Sequence, residues 1–264
     1  MITSVELTTA QYDIVWHDLK LGEQPYPVAV RSQGRTMEER ALIRNRVYGE
    51  LTARRLAEGP RVGNDLANAL TLLARAPVSL DMIWLPELDA KVMRNALVVA
   101  DGDHGMLAET TGEGVRLRAI RGAALIPALL DLLPRVPAAP GRSITVPTES
   151  LVPSGAPEQQ GDSIYEPSRP AASTATQQVR SLEAMFARPR LRGGQIVANA
   201  LDRHGRRTRS RPLEWFDTED GRCMAQTGAG IDGRQHLLVA PADAVRIANR
   251  LRDMLDAVRM PPNG

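Results

Sequence analysis

The sequence contains one cysteine, Cys223, in 264 residues. A single cysteine cannot form an internal disulfide, and it argues against a cysteine-based metal site. The four histidines lie far apart, with no pair at the spacing that places two ligands on one helix face. They are His17, His104, His204 and His236. No Ser, Cys or Asp stands in a recognisable nucleophile setting. We therefore expect a protein without enzymatic activity, metal or cofactor.

Aromatic residues and lysines are also scarce. Aromatics make up only 3% of the chain, which leaves few side chains for nucleic acid bases to stack on. Lys20 and Lys91 are the only lysines among 33 Lys and Arg residues, and the net charge is only +2. A phosphate-binding surface needs excess local charge and has no reason to avoid lysine. The composition therefore favours a protein that does not bind nucleic acid.

Long apolar runs are missing as well. The N-terminus, "MITSVELTTA", lacks a basic region followed by an apolar stretch, and the longest apolar run, "GAALIPALLDLLP", is too short to span a bilayer. We expect a cytoplasmic protein with no membrane span.

One stretch of the sequence is present almost twice. "LVVADGDHGMLAETTG", residues 97–112, aligns without a gap on "LEWFDTEDGRCMAQTG", residues 213–228, at an offset of 116. Five identities connect them: Leu97/Leu213, Asp101/Asp217, Gly105/Gly221, Thr111/Thr227 and Gly112/Gly228. Turn residues alone could make two hairpins this similar. The same order of helices and strands on both sides instead indicates a duplicated unit.

The hydrophobic periodicity predicts an α+β protein made of two such units. Each unit contains a helix, a four-stranded antiparallel sheet and a closing helix, in residues 1–138 and residues 139–264. We expect the units to be related by a quasi-two-fold axis and to form one central sheet, with helices covering one face. Segment 153–175, rich in Pro, Ser, Gly and Ala, is predicted to be mobile.

Local signals predict where individual elements begin and end. Thr8 with Gln11, and Thr36 with Glu39, each match a capping box at the start of a helix. "YPVAV", residues 26–30, reads as a strand, and Pro241 is expected in the first turn of the last helix. Pro127 would remove a backbone hydrogen bond from the helix that closes the first unit, unless that helix begins there or kinks.

Two motifs match known sites only superficially. "GAGIDG", residues 228–233, has the glycine spacing of a dinucleotide site, but a strand follows it where a helix is required. "DGDHG", residues 101–105, begins like a calcium loop but has glycine at its twelfth position, where a glutamate is required. We interpret the first as a loop between strands and the second as a turn.

The stretch "RHGRRTRSR", residues 203–211, contains five arginines: Arg203, Arg206, Arg207, Arg209 and Arg211. It is either the solvated tip of a hairpin or a surface for RNA or an acidic partner.

Four segments of the sequence resemble the EspG chaperones of type VII (ESX) secretion. They are "LKLGEQPYPVAV", "VRLRAIRGAALIPALLDLLP", "LRGGQIVANALDRHGRRTRSRPLEWFDTEDGR" and "LLVAPADAVRIANRLRDML". The resemblance implies a quasi-two-fold fold and a role without catalysis. It implies binding of a PE-PPE heterodimer at the apolar helical tip of the PPE protein, before transfer to the ESX machinery. It also implies that the hairpin loop "PELDAK", residues 86–91, and the C-terminal helices help form the binding surface.

Strand geometry suggests which residues contact that partner. Trp84 ends a predicted strand beside the loop, and Leu88 lies on the loop. Met82 and Met93 lie on the two flanking strands, and methionine suits an adaptable apolar surface. Each methionine is also explained by a place in the core. A free sheet edge would also allow weak self-association.

Overall fold

The computed structural model describes residues 2–90, 92–151, 182–183, 185–230 and 233–260. Segment 153–175, predicted to be mobile, lies outside them. Five helices fall in the described residues: α1 (Thr9–Asp18), α2 (Met37–Ala53), α3 (Asn64–Arg75), α4 (Leu125–Leu130) and α5 (Ala244–Arg259). None of the described helices is long and apolar enough to cross a membrane.

Eleven strands form one antiparallel sheet. The first half of the chain contributes β1 (Ser4–Thr8), β4 (Val78–Leu85), β5 (Arg94–Asp101), β6 (His104–Thr110) and β7 (Gly114–Arg121). The second half contributes β8 (Ile144–Pro147), β9 (Arg192–Leu201), β10 (Arg207–Arg209), β11 (Leu213–Thr218), β12 (Gly221–Ala229) and β13 (Gln235–Pro241). A small separate ribbon pairs β2 (Ala57–Glu58) with β3 (Arg61–Val62). The predicted α+β class with a central antiparallel sheet is confirmed.

The strand order is β1-β7-β6-β5-β4-β9-β11-β12-β13-β8, and β10 pairs with β9 outside this path. Strands of the first half therefore lie on one side of the β4–β9 junction, and strands of the second half on the other. At the junction Val78 lies opposite Ala200 and Leu85 opposite Gly193, so the two strands pair along the whole of β4.

Helices cover both faces of the sheet, and the prediction of a single covered face was wrong. On one face, α4 and α5 pack over alternate residues of the central strands, such as Leu80, Met82 and Ile196. On the other face, α1, α2 and α3 pack over the alternate residues of β5, β6 and β7. The sequence already indicated a sheet covered on both faces, because residues 96–100 of β5 are continuously apolar. All five are buried. Such a run is typical of a strand covered on both sides.

The two similar stretches do form hairpins, but their turns are shifted by one residue relative to the sequence alignment. Asp101 pairs with His104 around a two-residue turn, and Thr218 pairs with Gly221 around the other. The turns therefore coincide at an offset of 117, not at the 116 of the gapless alignment. As a result, the aligned aspartates occupy different environments: Asp101 is exposed, whereas Asp217 is buried.

The predicted capping box is complete at the start of α1 and half formed at the start of α2. Thr8 and Gln11 form the complete capping box, and the Thr36 side chain accepts from the backbone N–H of Glu39 at the start of α2. Helix α4 begins at Leu125, which places Pro127 in its first turn, where its missing N–H costs nothing.

Two local predictions were wrong. Segment 26–30 is a turn with a cis Tyr26–Pro27 bond, not a strand. Prolines at positions 25 and 27 remove the backbone N–H groups that a paired strand would need. Pro241 ends β13 rather than opening a helix, and Asp243 caps α5 by accepting from the backbone N–H of Arg246.

Candidate functional site

A groove lies where the central strands end, and we call it the tip groove. Its walls come from the end of β4, the start of β9, the middle of β11 and the loop between β4 and β5. The cavity has a volume of about 420 Å³. It is lined by Ile83, Trp84, Leu85, Leu88, Met93, Arg190, Arg192, Gly193, Gly194, Gln195, Glu214, Trp215 and Phe216.

Two glycines form the closely packed part of this groove. Gly194 lies between Trp84 of β4 and Trp215 of β11 in the strand register. A Cβ atom on Gly194 would lie 2.4 Å from the carbonyl oxygen of Ile83 and 2.5 Å from Cβ of Trp84. Such distances are not tolerated, so only glycine lets β9 approach β4 this closely. The sequence "GG" therefore brings the two tryptophans to either side of one bare backbone position.

Two hydrogen-bond donors of the groove lack partners. The indole Nε1 of Trp215 and Nε of Arg192 are both buried without a hydrogen bond to any described residue. Arg192 Nε lies 3.6 Å from the Asp217 carboxylate, close enough for attraction but too far for a hydrogen bond. Each group can only donate, so both call for an acceptor oxygen.

A buried ion pair packs against the ring of Trp215. Arg222 donates to both carboxylate oxygens of Asp217, at 2.6 and 2.9 Å, and to the carbonyl oxygen of Pro134 at 2.9 Å. Its guanidinium carbon lies 4.9 Å from the centre of the Trp215 ring. A bidentate pair of this kind fixes orientation as well as distance. It therefore fixes one wall of the tip groove.

The outer rim of the groove is apolar and exposed. Leu88 is 56% exposed, Val92 72%, Met93 53% and Leu191 39%. The backbone N–H of Leu88 donates to the carbonyl oxygen of Leu191 at 2.9 Å, which ties the loop after β4 to the chain entering β9. Leu88 and Met93 therefore line the groove as exposed apolar side chains, and Val92 and Leu191 are exposed next to lining residues in the chain. Exposed apolar side chains grouped in this way are typical of interaction surfaces.

Arg190 packs against two aromatic rings at the border of the same opening. The guanidinium carbon of Arg190 lies 5.2 Å from the ring centre of Phe186 and 4.7 Å from that of Phe216. Stacking on two rings holds the positive charge of Arg190 at the rim.

The arginine-rich stretch 203–211 forms the β9–β10 hairpin at the opposite end of the sheet. Arg209 stays exposed, lies 3.4 Å from the Asp81 carboxylate and packs against the Tyr26 ring at 5.6 Å. Burial is the main cause that raises the pKa of Asp81, opposed by a hydrogen bond from Asn199 and by the charge of Arg209. Of the five arginines, Arg209 thus stabilises the fold, and the stretch is not a uniform basic surface.

In the described part of the chain, no group of three or more His, Cys, Asp or Glu side chains is placed to hold a metal ion.

Comparison with known proteins identifies the family. The sequence model of the EspG family matches residues 8–253. The chain belongs to the EspG family. The EspG fold is also found in a solved structure, the Mycobacterium tuberculosis type VII secretion system chaperone EspG5 in complex with a PE25-PPE41 dimer. The similarity covers 96% of each chain with a TM-score of 0.68 and 12% sequence identity. No curated protein sequence matches the chain significantly.

The four residues predicted for partner contact in this EspG chain fall into two groups. Leu88 and Met93 are exposed on the rim of the tip groove, whereas Met82 and Trp84 are buried among the residues beneath α4 and α5. Met82 and Trp84 are buried because side chains alternate along β4. Val78, Leu80, Met82 and Trp84 all point to the face that the two helices cover. Of the two, only Trp84 lines the groove.

Sequence reasoning missed Val92, Leu191 and the unpartnered donors. Val92 could have been found, because it stands beside Met93 on the strand predicted to follow the loop. The donors of Trp215 and Arg192 carried no sequence signal, because their lack of partners depends on distances between strands.

Proposed function

We propose that this chain is a cytoplasmic chaperone of type VII secretion. In this proposal it binds a PE-PPE heterodimer through the tip groove, keeps it soluble and releases it to the ESX machinery, without catalysing a reaction. The observation that carries the proposal is the exposure of Leu88 and Met93 on the lining of the tip groove, with Val92 and Leu191 exposed next to lining residues in the chain. Family membership and the fold of a PE-PPE-bound relative support it.

The groove suits the apolar end of a helical bundle. Leu88 and Met93 line it and are more than half exposed, so they offer apolar area that would leave water on contact with an apolar helical tip. Such burial is worth about 25 cal/mol per Å². Apolar contact therefore favours this occupant.

The test is a substitution of the rim with a matched control. We expect Leu88→Asp combined with Met93→Asp to weaken PE-PPE binding at least about tenfold, because charges replace apolar side chains at the contact. The control is Leu42→Asp combined with Met37→Asp. It makes the same chemical change at two exposed residues of α2, away from the groove.

Binding is measured by co-expression with PE-PPE pairs, affinity capture, and size-exclusion chromatography with light scattering. The chain alone supplies the reference mass and shows whether it self-associates through a free edge strand. A heterotrimer that is lost in the rim variant and kept in the control supports the proposal. Equal complex formation by both variants would remove the tip groove from it, and a folded chain that binds no pair would contradict the function itself.

We also infer that residues 1–138 and 139–264 are two copies of one unit. The strand order supports this, because β1-β7-β6-β5-β4 is matched in reverse by β9-β11-β12-β13-β8. An experimental structure in which β4–β7 do not superpose on β9, β11, β12 and β13 after a two-fold rotation would contradict it.

A further inference from the structure

A second, larger groove lies at the end of the sheet opposite the tip groove. It runs between the β9–β10 hairpin on one side and helices α4 and α5 on the other, and its cavity volume is about 810 Å³. We call it the arginine groove, because two arginines line each of its long walls. Arg206 and Arg207 come from the hairpin, and Arg252 and Arg259 come from α5.

The charge of this groove is unbalanced. Four arginines line it against two carboxylates, Asp202 and Asp256, and all six side chains are exposed. Neither Arg206 nor Arg207 forms an ion pair with another described side chain within 4.0 Å, and Arg259 reaches Asp256 only at 3.8 Å. The charge of Arg206 acts on Asp202 and that of Arg207 on Asp81, but four arginines against two lining carboxylates leave the groove with a net positive charge.

Asp202 does little to neutralise that charge. One of its carboxylate oxygens accepts from the backbone N–H groups of His204 and Arg206, each at 2.8 Å. The hydrogen bond from Arg206 is the main cause that lowers the pKa of Asp202. The carboxylate thus closes the hairpin turn, and it orients the hairpin that presents Arg206 and Arg207.

The floor of the arginine groove is apolar. It is formed by side chains that are almost completely buried between the sheet and the two helices: Val78, Leu125, Ile126, Leu255 and Val258. Among the described residues, no aromatic side chain lines the groove, so a nucleic acid base would find no ring to stack on there. A ligand with separate carboxylates and apolar groups between them fits the combination of arginine walls and apolar floor better.

We propose that the arginine groove binds an acidic segment of a partner protein, in which Asp or Glu residues alternate with apolar side chains. The carboxylates pair with Arg206 and Arg207 on one wall and with Arg252 and Arg259 on the other, while the apolar side chains cover the floor. Arginine suits this role because its planar guanidinium binds a carboxylate through two parallel hydrogen bonds. This surface is separate from the tip groove, so both can be occupied at once.

The test measures binding of a fluorescein-labelled peptide of alternating glutamate and leucine by fluorescence anisotropy. Arg206→Glu combined with Arg252→Glu reverses one charge on each wall. The matched control, Arg31→Glu combined with Arg46→Glu, makes the same change in net charge at exposed arginines outside the groove. We expect the groove variant to bind at least about tenfold more weakly and the control to bind as the wild type does.

Two further probes separate the alternatives. A lysine–leucine peptide of the same length should not bind, and an oligouridylate of equal charge should bind more weakly than the glutamate–leucine peptide. The proposal is overturned if the acidic peptide does not bind the wild type, if the groove variant and the control bind it equally, or if the oligouridylate binds more tightly. Arg206→Glu alone changes the hairpin and leaves α5 intact, so it should weaken peptide binding and still form the PE-PPE complex, which separates failure here from failure of the chaperone proposal.

Discussion

At the scale of single residues, one buried ion pair connects the core to the candidate site. Arg222 and Asp217 are both almost fully buried, and Arg222 also holds the chain segment after α4 through its backbone. Its N–H donates to the carbonyl oxygen of Pro137, and its own carbonyl accepts from the N–H groups of Ala139 and Ala242. Loss of its side chain would leave these backbone bonds in place but remove the pair with Asp217, the hydrogen bond to the Pro134 carbonyl and the contact with the Trp215 ring.

We predict that Arg222→Met lowers the free energy of unfolding by about 3–5 kcal/mol, because the Asp217 carboxylate stays buried without its bidentate partner. Urea denaturation followed by circular dichroism measures the change. The double variant Arg222→Met with Asp217→Leu should recover much of the loss, since it removes both charges together. A single variant as stable as the wild type would show that water reaches Asp217.

At the scale of elements, the pairing of β4 with β9 depends on Gly194, where any side chain would collide with β4. We predict that Gly194→Ala lowers the free energy of unfolding by about 1–3 kcal/mol, because the new Cβ would force β9 away from Ile83 and Trp84. Gly228→Ala in β12 is the control, since its Cβ would meet nothing within 4 Å. Thermal unfolding compares the two, and similar melting temperatures would contradict the close approach.

Most elements could be predicted from local signals in the sequence. Thr8 with Gln11 marked the start of α1, and the alternation of Val78, Leu80, Met82 and Trp84 marked β4 and the face it buries. The turn at residues 26–30 was missed because apolar residues in "YPVAV" outweighed the effect of its prolines.

The candidate site was predicted less well than the fold. The loop after β4 was found through Leu88 and Met93, because a family resemblance pointed to that loop. The groove itself could not be found, since it depends on a backbone approach at Gly194 and on donors left without partners between strands.

At the scale of the whole molecule, the two halves share one core. The cluster beneath α4 and α5 includes Leu80 and Leu129 from the first half and Ile196 and Leu251 from the second. Neither half can bury these residues alone, although each contributes helices and strands of its own.

We therefore predict that residues 1–138 expressed alone do not give a soluble, cooperatively folded protein. The fragment would expose the edge of β4 and the apolar face that α5 covers. Size-exclusion chromatography and thermal unfolding of the fragment, compared with the full chain, measure this. A monomeric fragment with a sharp unfolding transition would contradict the shared core.

The pairing of β4 with β9 also determines how long β4 remains without its partner strand during synthesis. Strand β4 is complete at Leu85, whereas its partner β9 is complete only at Leu201, and 201 − 85 = 116 residues separate the two points. At translation rates of roughly 5–20 residues per second, this takes roughly 6–23 s. During that time the nascent chain carries an apolar strand edge that no later segment can yet cover. A protein proposed to cover exposed apolar surfaces of a partner therefore exposes an apolar strand edge itself while it is being synthesised.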